Sequence, residues 1–141
     1  YGLGTHSSRN VTLGQVAGAE VFENSDVYVY LFTRFLPGRD EHIHWAWHSG
    51  EMWYTFASMR DIPEQRAWTE WDHQLADMMS TYWANFIKTG DPNGEGLPTW
   101  APTQSDALAY MEFGDEVVLD TGISKLDALM IEFVKRQFAI E

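Results

Sequence analysis

The sequence predicts an α/β fold, in which strands alternate with helices along one chain. Three observations carry that expectation. Val27-Tyr28-Val29-Tyr30-Leu31-Phe32 is an unbroken β-branched and aromatic run, Thr69 to about Thr89 is a capped amphipathic stretch, and two short strands precede a closing helix. At 141 residues, with no internal repeat or low-complexity tract, the chain (1–141) is expected to be one segment of a single domain.

Residues 1–11 are rich in Gly, Ser and Asn and read as a loose lead-in. Residues 12–24 place Leu13, Val16, Ala17 and Val21/Phe22 at helical spacing, although Gly14 and Gly18 weaken a helix there. The run 27–32 lacks polar alternation, as does a strand covered on both faces in the middle of a parallel sheet. Such a strand wants two neighbours, and a three-stranded sheet is thin for that purpose. Pro37-Gly38 marks a turn that opens a loop reaching about Trp47.

The helix predicted over 69–89 starts at Thr69, with Asp72 standing where a capping box usually has Glu or Gln. Leu75, Met78/Met79, Tyr82 and Phe86 form its apolar stripe, and Gly90 followed by Asp91-Pro92-Asn93-Gly94 ends it. Ala107 to Phe113 and Glu116 to Leu119 read as a hairpin (107–119) turning at Gly114-Asp115. Ser124 and Asp127 open a last helix over about 124–139, with Leu126, Leu129/Met130 and Phe133 on its inner face.

Acidic residues outnumber basic ones by 21 to 9, giving a net charge of −12. Phosphate backbones and anionic membranes are therefore disfavoured partners. No apolar run approaches the ~18 residues of a membrane span. Cysteine is absent, which excludes disulfides and thiolate metal sites but leaves the compartment open. Aromatics make up 15% of the chain, including seven Trp, enough for a packed core beside a ligand pocket. The chain opens Tyr1-Gly2-Leu3-Gly4 and reads as a piece of something longer, with any targeting segment upstream.

Of five His, three lie in His42-Ile43-His44-Trp45-Ala46-Trp47-His48-Ser49-Gly50-Glu51. A loop His just after a buried strand is well placed for general-base chemistry, because the sheet steadies the loop. An ordinary solvated residue is the plainer reading. His42 and His44, at i and i+2, also allow a zinc site completed by His48 or Glu51.

The strand 27–32 followed by Ala46-Trp47-His48-Ser49-Gly50-Glu51 resembles the type-B carboxylesterases, a family that includes para-nitrobenzyl esterases and cholinesterases. Tyr82-Trp83-Ala84-Asn85-Phe86-Ile87-Lys88-Thr89-Gly90-Asp91-Pro92-Asn93 and Leu97-Pro98-Thr99-Trp100 match further motifs of that family, in order. The resemblance runs from about Asp26 to Phe113, and the rest fits the family's C-terminus. Trp45 departs from it, since many relatives have Gly there.

The resemblance implies the C-terminal portion of an α/β-hydrolase fold, with His48 the general base of a Ser-Glu/Asp-His triad. It places Glu51 as loop support rather than triad acid. Trp47 and Trp53 become possible pocket residues, with core packing as their alternative role. No Gly-x-Ser-x-Gly elbow or His-Gly-Gly-Gly loop occurs, and Ser124 in Gly122-Ile123-Ser124-Lys125 fits a helix cap better than a nucleophile. The implied serine and acid therefore lie upstream, and the isolated segment is expected to be inactive. The expected partners are a small-molecule carboxylic ester and the upstream part of the same chain, with no metal and no cofactor. A zinc domain using His42, His44 and His48, and a cholinesterase-like interaction module without catalysis, stand as alternatives.

Overall fold

A computed structural model describes residues 25–38, 46–60, 66–104 and 107–121, together with Lys125, Ala128, Leu129, Glu132, Phe133 and Arg136. The lead-in (1–11), the helix expected at 12–24, His6, His42, His44 and most of the helix expected at 124–139 lie outside the described residues. Strand β1 (Tyr30–Phe32), helix α1 (Met52–Thr55), helix α2 (Glu70–Thr89), β2 (Tyr110–Phe113) and β3 (Val117–Asp120) follow in that order. The strands form one sheet in the order β1-β2-β3.

Met111 N donates to Val29 O and Thr33 N donates to Phe113 O, both at 2.9 Å, so β1 and β2 run parallel. β2 and β3 are the expected hairpin, turned at Gly114-Asp115-Glu116, where Gly114 N donates to Glu116 O at 3.0 Å. β2 buries Met111 and Phe113 and leaves Tyr110 and Glu112 half-exposed, the alternation of a one-faced strand.

The run 27–32 is a regular strand only over its last three residues. Its first part changes partner: Val27 bridges antiparallel to Thr103, while Val29 O accepts from Met111 N and from the Trp100 indole. A regular ladder needs one partner throughout, so it starts only where β2 takes over. Tyr30, Leu31 and Phe32 are all half-buried, so the described residues do not supply two covered faces, in keeping with a sheet too thin for such a strand. Among the described residues β1 has one strand neighbour, β2.

The chain divides into two compact units. The first comprises 1–31, 100–112 and 118–141. Here Trp100, 4% exposed, sends its Nε1 hydrogen to Val29 O and lies edge-on to Tyr28 and Tyr30 at centroid distances of 5.9 and 6.4 Å. Tyr110 donates to Asp120 across the hairpin at 2.7 Å, and the Thr103 hydroxyl donates to Ala109 O. Leu129 and Phe133 are helical but 65% and 55% exposed, so these two residues of the expected inner face are not buried, and Leu126 and Met130 lie outside the described residues. Periodicity marks an apolar face without supplying anything to cover it.

The second unit comprises 32–99 and 113–117 and is built around α2. Thr69 and Asp72 close a full capping box: Asp72 N donates to Thr69 Oγ1 at 3.2 Å, and Thr69 N donates to Asp72 Oδ2 at 2.8 Å. A cap of this kind is typically worth about 1 kcal/mol. Gly90 ends the helix at φ 80, where its N–H reaches Phe86 O. Asn85 Nδ2 then donates to the carbonyls of Pro92 and Asn93, both at 3.2 Å, folding the chain back. The motif around Tyr82 to Asn93 is thus a helix stop held by its own side chains.

Leu75, Ala76, Met79 and Tyr82 form the buried stripe of α2. Tyr82 donates to Pro98 O and packs 5.7 Å from Phe113, and burial pushes its phenol pKa up to about 12. Phe86, expected on the same stripe, is 47% exposed. Residues 86–91 are all exposed.

Candidate active site

His48 sits on a tight turn between β1 and α1. Gly50 N donates to Trp47 O at 2.9 Å, which closes the turn, and Ser49 takes a positive φ of 70. A non-glycine residue at positive φ is uncommon and tends to mark a turn or a functional constraint. Gly50 is buried against Leu36: a Cβ there would stand 2.9 Å from Leu36 Cδ1 and 3.0 Å from Trp47 O. The turn is therefore tight at Gly50: a side chain there would have to displace the Leu36 methyl and push the Trp47 carbonyl by a few tenths of an ångström. The His48 ring itself is exposed, with Nδ1 2.6 Å from Ser49 Oγ. Nε2 has no hydrogen-bonding partner among the described residues.

The turn runs directly into α1. Glu51 is its N-cap, and its carbonyl accepts the N–H groups of Tyr54 at 3.0 Å and Thr55 at 2.9 Å, while its side chain makes no cap hydrogen bond. Tyr54, fully buried, donates its hydroxyl to Asp72 Oδ1 at 2.8 Å. The same carboxylate receives Arg34 Nε at 2.8 Å and Nη2 at 3.2 Å, and the Thr69 hydroxyl at 2.6 Å. Arg34 Nη1 reaches Asp115 at 2.5 Å.

Asp72 is completely buried. Burial alone would raise its pKa, but hydrogen bonds from Arg34, Thr69 and Tyr54 outweigh that and hold it below the usual carboxylate range. Arg34 is correspondingly raised, chiefly by its hydrogen bond to Asp72, and Tyr54 is raised by burial and then by the same carboxylate. One buried anion therefore joins the exit of β1, the body of α1 and the start of α2.

Trp47 is 39% exposed and does not belong to the core. The Arg66 guanidinium carbon lies 5.9 Å from the ring centroids of both Trp47 and Trp68, and Arg66 Nη1 donates to Pro37 O at 3.3 Å. Trp53, half-buried, lies 6.0 Å from Trp68. Trp47 and Trp53 are thus linked through Trp68 and Arg66, on either side of the turn in sequence. The described residues contain no group of three or more His, Cys, Asp or Glu able to hold a metal, and His42 and His44 lie outside them.

Sequence reasoning identified Asp72 only as a cap and missed Arg34 and Tyr54 altogether. Their partners lie 38 and 18 residues away, and no periodicity reports a contact at that range. The one available signal was Arg34 itself, a lone cation two residues beyond an apolar strand.

Comparison with known proteins identifies the relatives. The sequence pattern described as Carboxylesterase family matches residues 5–130. Carboxylesterase 5A of Canis lupus familiaris is 46% identical over 68 residues, covering 46% of this chain and 11% of the dog protein. Cocaine esterase of Homo sapiens is 59% identical over 32 residues, covering 23% of this chain and 6% of the human protein. Among solved structures, an esterase from Clostridium hathewayi superposes with TM-score 0.61 at 26% identity, over 86% of this chain and 23% of that one. A Geobacillus stearothermophilus carboxylesterase gives 0.63 at 22% identity, over 80% and 23%. The chain thus spans about a tenth of the length of the curated proteins it matches and under a quarter of the solved ones. Its sheet and helices are part of an α/β-hydrolase fold, and the chain belongs to the carboxylesterase family.

Proposed function

We propose that this chain is the C-terminal portion of a carboxylic-ester hydrolase and contributes the general base, His48, to a triad whose serine and acid lie upstream. The observation that carries this reading is the His48 turn. An exposed imidazole whose Nε2 has no hydrogen-bonding partner among the described residues stands on a turn packed at Gly50, inside the region that matches the family. Nε2 would take the proton of the serine hydroxyl as it attacks the ester carbonyl, and return it to the departing alcohol. An imidazole suits both transfers because one ring nitrogen can accept a proton while the other already carries one. With its proton on Nδ1, the ring donates to an acceptor such as Ser49 Oγ and keeps Nε2 as the base.

In this reading Glu51 supports the loop through its carbonyl, which nucleates α1, and Trp47 and Trp53 contribute to the wall of the ester pocket. The substrate is a small-molecule carboxylic ester, and the upstream part of the same protein supplies the rest of the site.

The test is turnover of one activated and one ordinary ester by the full-length protein. His48→Ala is expected to cost up to ~10⁶ in kcat, on the order of 8 kcal/mol of barrier, with little change in thermal midpoint. His42→Ala and His44→Ala are expected to cost less than about tenfold. If His48→Ala keeps more than a few per cent of turnover while either of the others is dead, the assignment is wrong. A wild-type protein that turns over neither ester is instead the interaction module.

A further inference from the structure

We infer that Arg34, Asp72 and Tyr54 form a positioning device that, within the second unit, ties the His48 turn to Phe113 and to the start of α2. The inference rests on the proposed role of His48 and deepens it.

The connections are continuous within one compact unit. At one end, Thr33 N and Arg34 N both donate to Phe113 O, at 2.9 and 3.3 Å, so the main chain at Arg34 is tied to the end of β2. Arg34 then clasps Asp72 with two nitrogens, and Asp72 holds the Tyr54 hydroxyl. Tyr54 is locked into α1 through Glu51 O, and Met52 N reaches back to Ser49 O at 3.2 Å, inside the turn that presents His48. A second, apolar anchor is Gly50 against Leu36. The turn therefore has one polar and one steric fixture, and neither involves the imidazole.

The carboxylate accepts five hydrogen-bonding hydrogens: two from Arg34, two from Thr69 and one from Tyr54. Capping α2 needs only those from Thr69. Burying an arginine and a tyrosine hydroxyl on the same anion adds desolvation cost with little net stability. Such a pair is better suited to fixing geometry than to adding stability. A general base works only within a few tenths of an ångström of its productive position, so a device that removes freedom from the turn acts on rate.

Tyr54→Phe isolates the effect. It keeps the ring, which packs 5.2 Å from Phe32 and 5.8 Å from Trp68, and removes only the hydroxyl hydrogen bond to Asp72. In the full-length protein, with active sites counted by stoichiometric fluorophosphonate labelling, kcat per titrated site should fall about tenfold while KM stays within about twofold. Arg34→Gln should lower kcat per site at least as far. A wild-type kcat per labelled site in either variant overturns the inference, even if fewer sites label, since that pattern is loss of folded protein alone. A matching rise in KM overturns it too, because the contact would then serve substrate binding. His48→Ala separates the two levels. If it stays active, the proposed function fails and the device has no base to position; if it is dead while Tyr54→Phe is unaffected, only the device fails.

Discussion

Replacing Asp72 by Asn removes one charge from the centre of the second unit while nearly conserving volume. Breaking one partner of a buried ion pair costs about 3–5 kcal/mol. The low end applies here, because the Arg34 side chain keeps 17% exposure and a second carboxylate, Asp115, which is itself 86% exposed. The amide nitrogen of Asn can donate but not accept, so the backbone N–H of Thr69 or the Tyr54 hydroxyl loses its partner as well. A loss of about 3 kcal/mol follows, and it should appear locally as roughly 10²-fold faster amide hydrogen exchange in the first turns of α2 at pH 7.

The loss should also depend on pH in a defined direction. Asp72 is depressed in the folded protein, so its contribution is complete above the unfolded carboxylate pKa of ~3.9 and disappears as pH falls through the lower folded value. Wild type and Asp72→Asn should therefore converge in thermal midpoint only well below pH 4, the wild type falling further than the variant. Exchange within threefold of wild type at pH 7, or a gap that widens on acidification, would refute the reasoning.

Two further outcomes are expected. Gly50→Ala should cost about 1–3 kcal/mol of local stability, because its Cβ would stand 2.9 Å from Leu36 Cδ1 and 3.0 Å from the Trp47 carbonyl, and should lower kcat in the full-length protein; equal activity and equal exchange rates around 47–52 would show that the turn relaxes freely. The isolated 141-residue chain should neither hydrolyse p-nitrophenyl acetate beyond free imidazole nor label with a fluorophosphonate, and should self-associate in light scattering, since Met52, Phe56, Phe86 and Ile87 are 49%, 68%, 47% and 80% exposed. Saturable turnover by a monomeric chain that binds no hydrophobic dye would contradict both halves of that expectation.

Helix α2 was legible in the sequence from end to end, because its signals are local. Thr69 and Asp72 are three residues apart, and Gly90 satisfies a backbone requirement at its own position. The hairpin was legible for the same reason, with its turn at Gly114-Asp115 read directly. His48 was singled out by a short motif and its order relative to a second one, and the structure adds that the Gly two residues beyond the His packs closely against Leu36 and the Trp47 carbonyl.

Other features depend on what lies alongside. The run 27–32 is apolar throughout, yet only Tyr30–Phe32 forms regular strand, since Val27 pairs with Thr103 instead of β2. Helix α1, four residues long, carries too little periodicity to be predicted, and it exists because the turn before it and Tyr54 within it are both anchored. Phe86, Leu129 and Phe133 keep helical spacing but remain exposed, because burial is a property of the neighbour as well as of the stripe. The chain by itself determined which residues could cap, turn and carry a proton. Tertiary structure decided that Arg34, Tyr54 and Asp72 meet, because a buried charge finds its partner by packing rather than by spacing.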